Sequence, residues 1–158
     1  MEEIVVVLHG IRSVHNVGSI FRTADAAGVK KIYLCGITPT PLDRFGAMRR
    51  DFIKVSLGAE KTVAWEKAVS TVKVLEKLKR AGHKVVAVEQ SKKSVPYHKF
   101  KPGKNKIALV MGSEVRGVPP SILKKTDKIL EIPMRGKKES LNVSVSFGIA
   151  IYRLLYTT

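Results

Sequence analysis

The sequence predicts an α/β fold, an open and mostly parallel sheet with helices on both faces. Three observations carry this prediction. Short apolar runs recur along the chain, turn-forming residues bound them, and stretches with helical spacing separate one run from the next. Ile4 to Leu8, Lys31 to Cys35, Lys84 to Val88, Lys106 to Met111 and Lys128 to Ile132 read as buried strands. Strands of this kind interleaved with helices are the pattern of parallel crossover connections.

Between the first two strands, Val17, Ile20, Phe21, Ala24 and Ala27 recur at helical spacing and Gly28 ends the pattern, so a helix with one apolar face is expected. Asn16 is placed to cap it. Gly18 and Arg22 stand four apart on one face, so the glycine is expected to leave space beside the arginine. Val69, Val72, Leu75 and Leu78, closed by Gly82, predict a second helix. Pro119-Pro120-Ser121 starts a short one through Lys125, and Asn142 to Tyr156 forms the last. In that segment Val143, Val145, Ile149 and Ile151 are β-branched and partly alternate, but length and capping residues favour helix. The residues from Thr38 to Trp65 receive no assignment.

At 158 residues the chain suits one domain, 1–158. Apolar residues make up 44% and are evenly spread, no run approaches the ~20 residues of a membrane span, and Met1-Glu2-Glu3 lacks the basic start of a signal peptide. A soluble, cytoplasmic protein is expected. The single cysteine, Cys35, lies in an apolar run and reads as a buried, inert thiol. His9, His15, His83 and His98 show no ligand spacing, so no metal is expected. Charge is the strongest compositional signal: 29 Lys+Arg against 13 Asp+Glu give a net +16. Adaptation to heat usually raises Glu along with Lys, which is not the case here, so a polyanionic partner is favoured. Nucleic acid fits better than a membrane, because no long amphipathic helix with a lysine-rich back is present.

In open parallel sheets ligands bind beyond the carboxyl ends of the strands. Three loops there are unusual. The first carries Arg12, His15, Asn16, Gly18 and Arg22. A guanidinium near a helix N-terminus suits phosphate or a developing oxyanion, although an ordinary capped helix with a solvated arginine explains the residues equally well. The second, Gly112-Ser113-Glu114-Val115-Arg116-Gly117, lets the backbone pass close to a ligand, with Glu114 as an acceptor; a glycine turn with a surface carboxylate is the plain alternative. In the third, Ile132-Pro133-Met134-Arg135-Gly136 ends a strand and Ser140-Leu141-Asn142-Val143-Ser144 opens a helix. No G-x-G-x-x-G and no phosphate-binding G-x-x-x-x-G-K-[ST] occurs in the chain.

Taken together, Asn16-x-Gly18-x-x-x-Arg22, Gly112-Ser113-Glu114 with Gly117, and Ile132-Pro133-Met134 with Ser140 to Ser144 resemble, in order, the three motifs of the SpoU/TrmH branch of SPOUT RNA methyltransferases. The resemblance spans nearly the whole chain. It implies S-adenosylmethionine-dependent methylation of a ribose 2'-hydroxyl in tRNA or rRNA, a C-terminal deep trefoil knot whose loops hold the cofactor, and a homodimer with sites drawn from both subunits. Carried over by motif position, Arg22 and Asn16 are the catalytic pair, and Glu114, Ser140 and Asn142 complete the catalytic set behind them and on the substrate side. Glu89, Gln90, Gly112, Ile132, Ser140 and Leu141 would line the cofactor pocket, largely through backbone atoms. The second motif often has Asn where this chain has Ser113, and Val115-Arg116 replaces smaller residues.

Arg12, Arg49, Arg50, Lys92, Lys93, Lys99, Arg135 and Lys137 are candidate RNA-binding residues. In the segment from Lys92 to Lys101, Tyr97, His98 and Phe100 could add base stacking, or could tuck into the core beneath a solvated basic loop. Without an appended domain, the catalytic dimer itself or an accessory RNA-binding protein must grip the RNA. Two alternatives stand beside this reading. A non-catalytic RNA-binding relative would be expected to lose Asn16, Arg22, Ser140 or Asn142, all of which are present, and a base-methylating SPOUT enzyme fits the third motif less well.

Overall fold

The computed structural model describes residues 3–157. Met1 and Glu2, part of the start read above against a signal peptide, lie outside that range. Seven strands form one sheet: β1 (Ile4–His9), β2 (Lys31–Cys35), β3 (Ala64–Ala68), β4 (His83–Val88), β5 (Val95–Pro96), β6 (Lys106–Gly112) and β7 (Lys128–Glu131). Their order is β3-β2-β1-β6-β4-β7-β5, and every pairing is parallel. Carboxyl ends of all the strands therefore lie along one edge, which is where the loops carrying the motifs emerge.

Alternation along β1 separates the two faces. Ile4, Val6 and Leu8 join the core under helices α1 (Val14–Ala26) and α6 (Val143–Leu155); Val5 and Val7 join the core that includes Tyr33, Cys35 and the apolar side of α4 (Thr71–Arg80). Cys35 is fully buried, and burial pushes its thiol up to about 11, well out of the range where a thiolate would form near neutral pH.

The unassigned stretch contains real structure. Asp43 Oδ1 accepts the backbone N–H groups of Phe45 and Ala47 at 2.8 and 3.0 Å, closing a turn, and α2 (Arg50–Ser56), α3 (Ala59–Thr62) and β3 follow. Phe52 anchors α2 by meeting Phe21 of α1 edge-to-face at 5.1 Å, both rings fully buried. Phe52→Ala is expected to cost about 3–5 kcal/mol by leaving a cavity between the two helices. Thermal unfolding should register this as a melting temperature lower by roughly 10 °C; a drop of a degree or two would show that α2 is held otherwise.

Several expectations are corrected. The N-cap of α1 is Ser13, whose Oγ accepts the N–H of Asn16 at 3.1 Å, and Asn16 lies inside the first turn. Gly18 makes room for α2 and not for Arg22: a Cβ there would come within 3.2 Å of the Phe52 carbonyl oxygen and of Val55 Cβ. Val69 is 94% exposed and precedes α4, which Ser70 caps by accepting from the Lys73 N–H. The short helix α5 spans Pro120–Leu123, less than the expected run to Lys125. β7 stops at Glu131, one residue short of Ile132.

Candidate functional site

The carboxyl ends of β4, β6 and β7 are adjacent in the sheet, and their loops enclose a cleft of about 450 Å³. That is within the range of small-molecule sites. The wall from β4 holds Val88, Glu89, Gln90 and Ser91; that from β6 runs from Met111 to Val118; that from β7 includes Glu131, Ile132, Met134, Ser140 and Leu141. The residues expected to line a pocket, Glu89, Gln90, Gly112, Ile132, Ser140 and Leu141, therefore come together, with Glu114 beside them.

Backbone approach shapes this cleft. At Gly112 a Cβ would lie 2.4 Å from the carbonyl carbon and 2.5 Å from the oxygen of Gly117, and 2.6 Å from the N of Val118, so only glycine fits. The turn 113–117 closes through Gly117 N–H to the Ser113 carbonyl at 2.9 Å and Arg116 N–H to Ser113 Oγ at 2.9 Å. Glu89 braces it from the neighbouring strand end: its carboxylate accepts from Val118 N–H and Gln90 N–H, both at 2.8 Å. Gly117, at φ 62°, packs so closely on this carboxylate that a Cβ would lie 2.0 Å from Oε2. From the same strand end, the side-chain amide of Gln90 reaches the loop after β7 and donates to the Glu139 carbonyl at 2.6 Å. This is the only hydrogen bond that engages a backbone group of residues 133–141 among the described residues, so the other backbone donors and acceptors of that loop remain available.

A chain of side-chain hydrogen bonds borders the cleft. Asn16 Nδ2 donates to Glu114 Oε1 at 2.6 Å, and Asn142 Nδ2 donates to Asn16 Oδ1 at 3.1 Å. Asn142 Oδ1 accepts from Ser144 N–H at 2.9 Å and so caps α6. An ionised carboxylate only accepts, so Glu114 dictates which way both amides face. Three residues from three motifs thus form one unit. Arg22 is exposed, has no hydrogen-bond or ion-pair partner among the described residues, and stands apart from the cleft lining.

The candidate RNA-binding residues are distributed differently. Arg12, Arg50, Lys92, Lys93, Lys99, Arg135 and Lys137 are exposed, and Arg49 forks onto Asp51 with N–O distances of 3.2 and 3.0 Å. Phe100 belongs to the core, where Lys84 lies 5.5 Å above its ring, and half-buried Tyr97 packs on the same core; of that trio only His98 is exposed. Glu131, Met134 and Arg116 also line the cleft and were not foreseen. Arg116 and Met134 are themselves members of the second and third motif loops and Glu131 directly precedes Ile132, so the signal was present, although none of the three was singled out as a pocket residue.

A cleft made by strand-end loops of a parallel sheet, with no dinucleotide fingerprint and an amide–carboxylate chain at its rim, defines the class: an α/β domain with a cleft of small-molecule size at the carboxyl ends of its strands. The chain belongs to the SpoU rRNA Methylase family, whose model matches residues 3–152. It is 34% identical over 151 residues to the tRNA (guanosine(18)-2'-O)-methyltransferase of Aquifex aeolicus, covering 96% of this chain and 68% of that protein. To the 23S rRNA (guanosine-2'-O-)-methyltransferase RlmB of Neisseria meningitidis it is 33% identical, covering 94% of this chain and 56% of that one. Among solved structures, the AdoMet-bound rRNA methyltransferase from Sinorhizobium meliloti superposes with a TM-score of 0.86 at 29% identity, covering 96% of this chain and 55% of that one. The chain thus spans little more than half the length of several relatives it matches.

Proposed function

We propose that this chain is an S-adenosylmethionine-dependent methyltransferase acting on a ribose 2'-hydroxyl of tRNA or rRNA. The observation that carries the reading is the joining of Asn16, Glu114 and Asn142 into one hydrogen-bonded unit at the edge of a backbone-walled cleft. Residues 98 and 126 positions apart meet there, as a site drawing on all three motifs requires. Relatives named as 2'-O-methyltransferases of tRNA and rRNA support the reaction class, and the AdoMet-bound neighbour supports the cofactor.

The cleft suits this cofactor. Free backbone groups along 133–141 offer donors and acceptors to a base and an amino acid moiety, and Gly112 and Gly117 keep side chains out of the way. Glu89, Glu114 and Glu131 line the cleft with Arg116 as the one cation. In a protein of net charge +16 this local excess of carboxylate suits a cationic sulfonium. When bound, S-adenosylmethionine supplies a methyl group already activated for transfer.

Orientation and charge stabilisation are then the protein's tasks. Asn16, held by Glu114 and Asn142, presents a fixed amide at the rim. Arg22 binds the 2'-oxygen or its neighbouring phosphate and stabilises developing negative charge. A guanidinium acts here as a donor and not as a base, so another group accepts the hydroxyl proton. Ser140, exposed beside Leu141, faces the substrate.

A homodimer accounts for the position of Arg22, which points to solvent in its own chain and is free to complete a partner's site. Val145, Tyr152 and Tyr156 leave an apolar stripe along α6 exposed by 50%, 41% and 75%, as an interface would use. The trefoil knot that the family resemblance implies is in keeping with the path of the chain: β7 lies beyond β4, yet the next helix, α6, packs back on α1 and β6 over the same face of the sheet. Tested directly, cells with and without the protein should differ by one 2'-O-methyl nucleoside in tRNA or rRNA by mass spectrometry. Loss of a base methylation, or no change, would overturn the assignment.

A further inference from the structure

Phe45 is 80% exposed, more than any tyrosine or other phenylalanine ring among the described residues, yet its backbone is tightly held. Its N–H donates to Asp43 Oδ1 at 2.8 Å, Ala47 N–H donates to the same oxygen at 3.0 Å, and Leu42 bridges Met48 across the turn. The Arg44 guanidinium lies 4.8 Å from the ring centroid and covers one face. Arg49 and Arg50 follow the turn, Arg50 exposed.

We propose that Phe45 is a stacking platform for an unpaired nucleobase of the RNA substrate, with Arg44 behind the ring and the base on its open face. An exposed ring held by an ordered turn loses little freedom when a base stacks on it, and a cation on the far face strengthens the pairing. A phenylalanine has no hydrogen-bonding group, so the contact tolerates any base and adds grip without sequence selection.

Position supports the same partner. The turn follows β2, and all strands are parallel, so it emerges on the edge that carries the cleft. β2 is two strands from β6, a lateral offset of ~10 Å at ordinary strand spacing. The strand ends from which the turn and the cleft loop depart are thus near neighbours on one edge of the sheet, which one bound RNA can cover.

The inference rests on the RNA-methylation reading. Binding of a fluorescein-labelled, mixed-sequence single-stranded oligoribonucleotide, and of purified total tRNA, is to be measured against salt for the full chain and its Phe45→Ala, Phe45→Leu and Phe45→Trp variants. Phe45→Ala should weaken binding on the order of tenfold with the salt slope unchanged, since no phosphate contact is lost. Phe45→Trp should restore affinity and Phe45→Leu should not, while S-adenosylmethionine affinity by calorimetry and the sedimenting mass stay as in the parent. Equal RNA affinity of Phe45→Ala and the parent overturns the proposal. So does rescue by Leu as good as by Trp, or a fall in sedimenting mass, which would assign the ring to an apolar contact between copies. No RNA binding by the parent chain overturns the methylation reading as well.

Discussion

Gly112→Ala is expected to lower stability by about 1–3 kcal/mol and to remove most S-adenosylmethionine binding. The added Cβ would sit 2.4 Å from a backbone carbon of Gly117, and because a Cβ is fixed by its own backbone no rotamer change relieves the clash. The turn 113–117 must move, and Glu89, whose carboxylate accepts from Val118 N–H, must move with it. Both belong to the cleft wall. Thermal unfolding and calorimetric titration of the cofactor should therefore change together. A variant that melts and binds like the parent would show that the wall is soft and the close approach incidental.

Arg22→Lys is expected to lower turnover on the order of 100-fold while cofactor affinity is retained. The charge persists, but a compact ammonium replaces a planar fork that can hold an oxygen and a neighbouring phosphate at once. Because Arg22 lies outside the cleft and has no partner among the described residues, its replacement should leave both the cleft and the fold undisturbed. Single-turnover methylation with saturating cofactor measures the chemical step, and calorimetry checks the pocket. Unchanged turnover would remove Arg22 from the reaction.

Much of this architecture could be read from the chain because its signals are local. β1, β2, β4 and β6 are interior strands buried on both faces, and continuous apolar runs are what such strands require. β3 and β5 escaped notice because they are the sheet edges. Ala64–Ala68 carries Glu66 and Lys67 and is half exposed, while Val95–Pro96 is two residues long. α2 escaped for a related reason: within seven residues, only Phe52 supplies a large, fully buried apolar side chain.

The site shows the same division. Glu89, Gln90, Gly112, Ile132, Ser140 and Leu141, which the family resemblance implies as pocket residues, do meet around one cleft. Asn16 was misread as a cap because an asparagine three residues after a serine leaves two candidates for one helix start. Glu114 and Asn142, brought up from distant parts of the chain, claim the Asn16 amide and leave the cap to Ser13. Gly18 was misread likewise, since helical spacing places it near Arg22 but says nothing of the helix that packs against it.

By itself, then, the sequence determined the class of fold, the interior strands, the order of the three motif loops and the basic character of the surface, all of which follow from periodicity, composition and turn chemistry within a few residues. Only the tertiary structure decided which polar groups pair, where backbones approach too closely for a side chain, and which aromatics are buried. Those outcomes depend on atoms far apart in the chain that come within hydrogen-bonding or van der Waals distance only after the sheet has assembled.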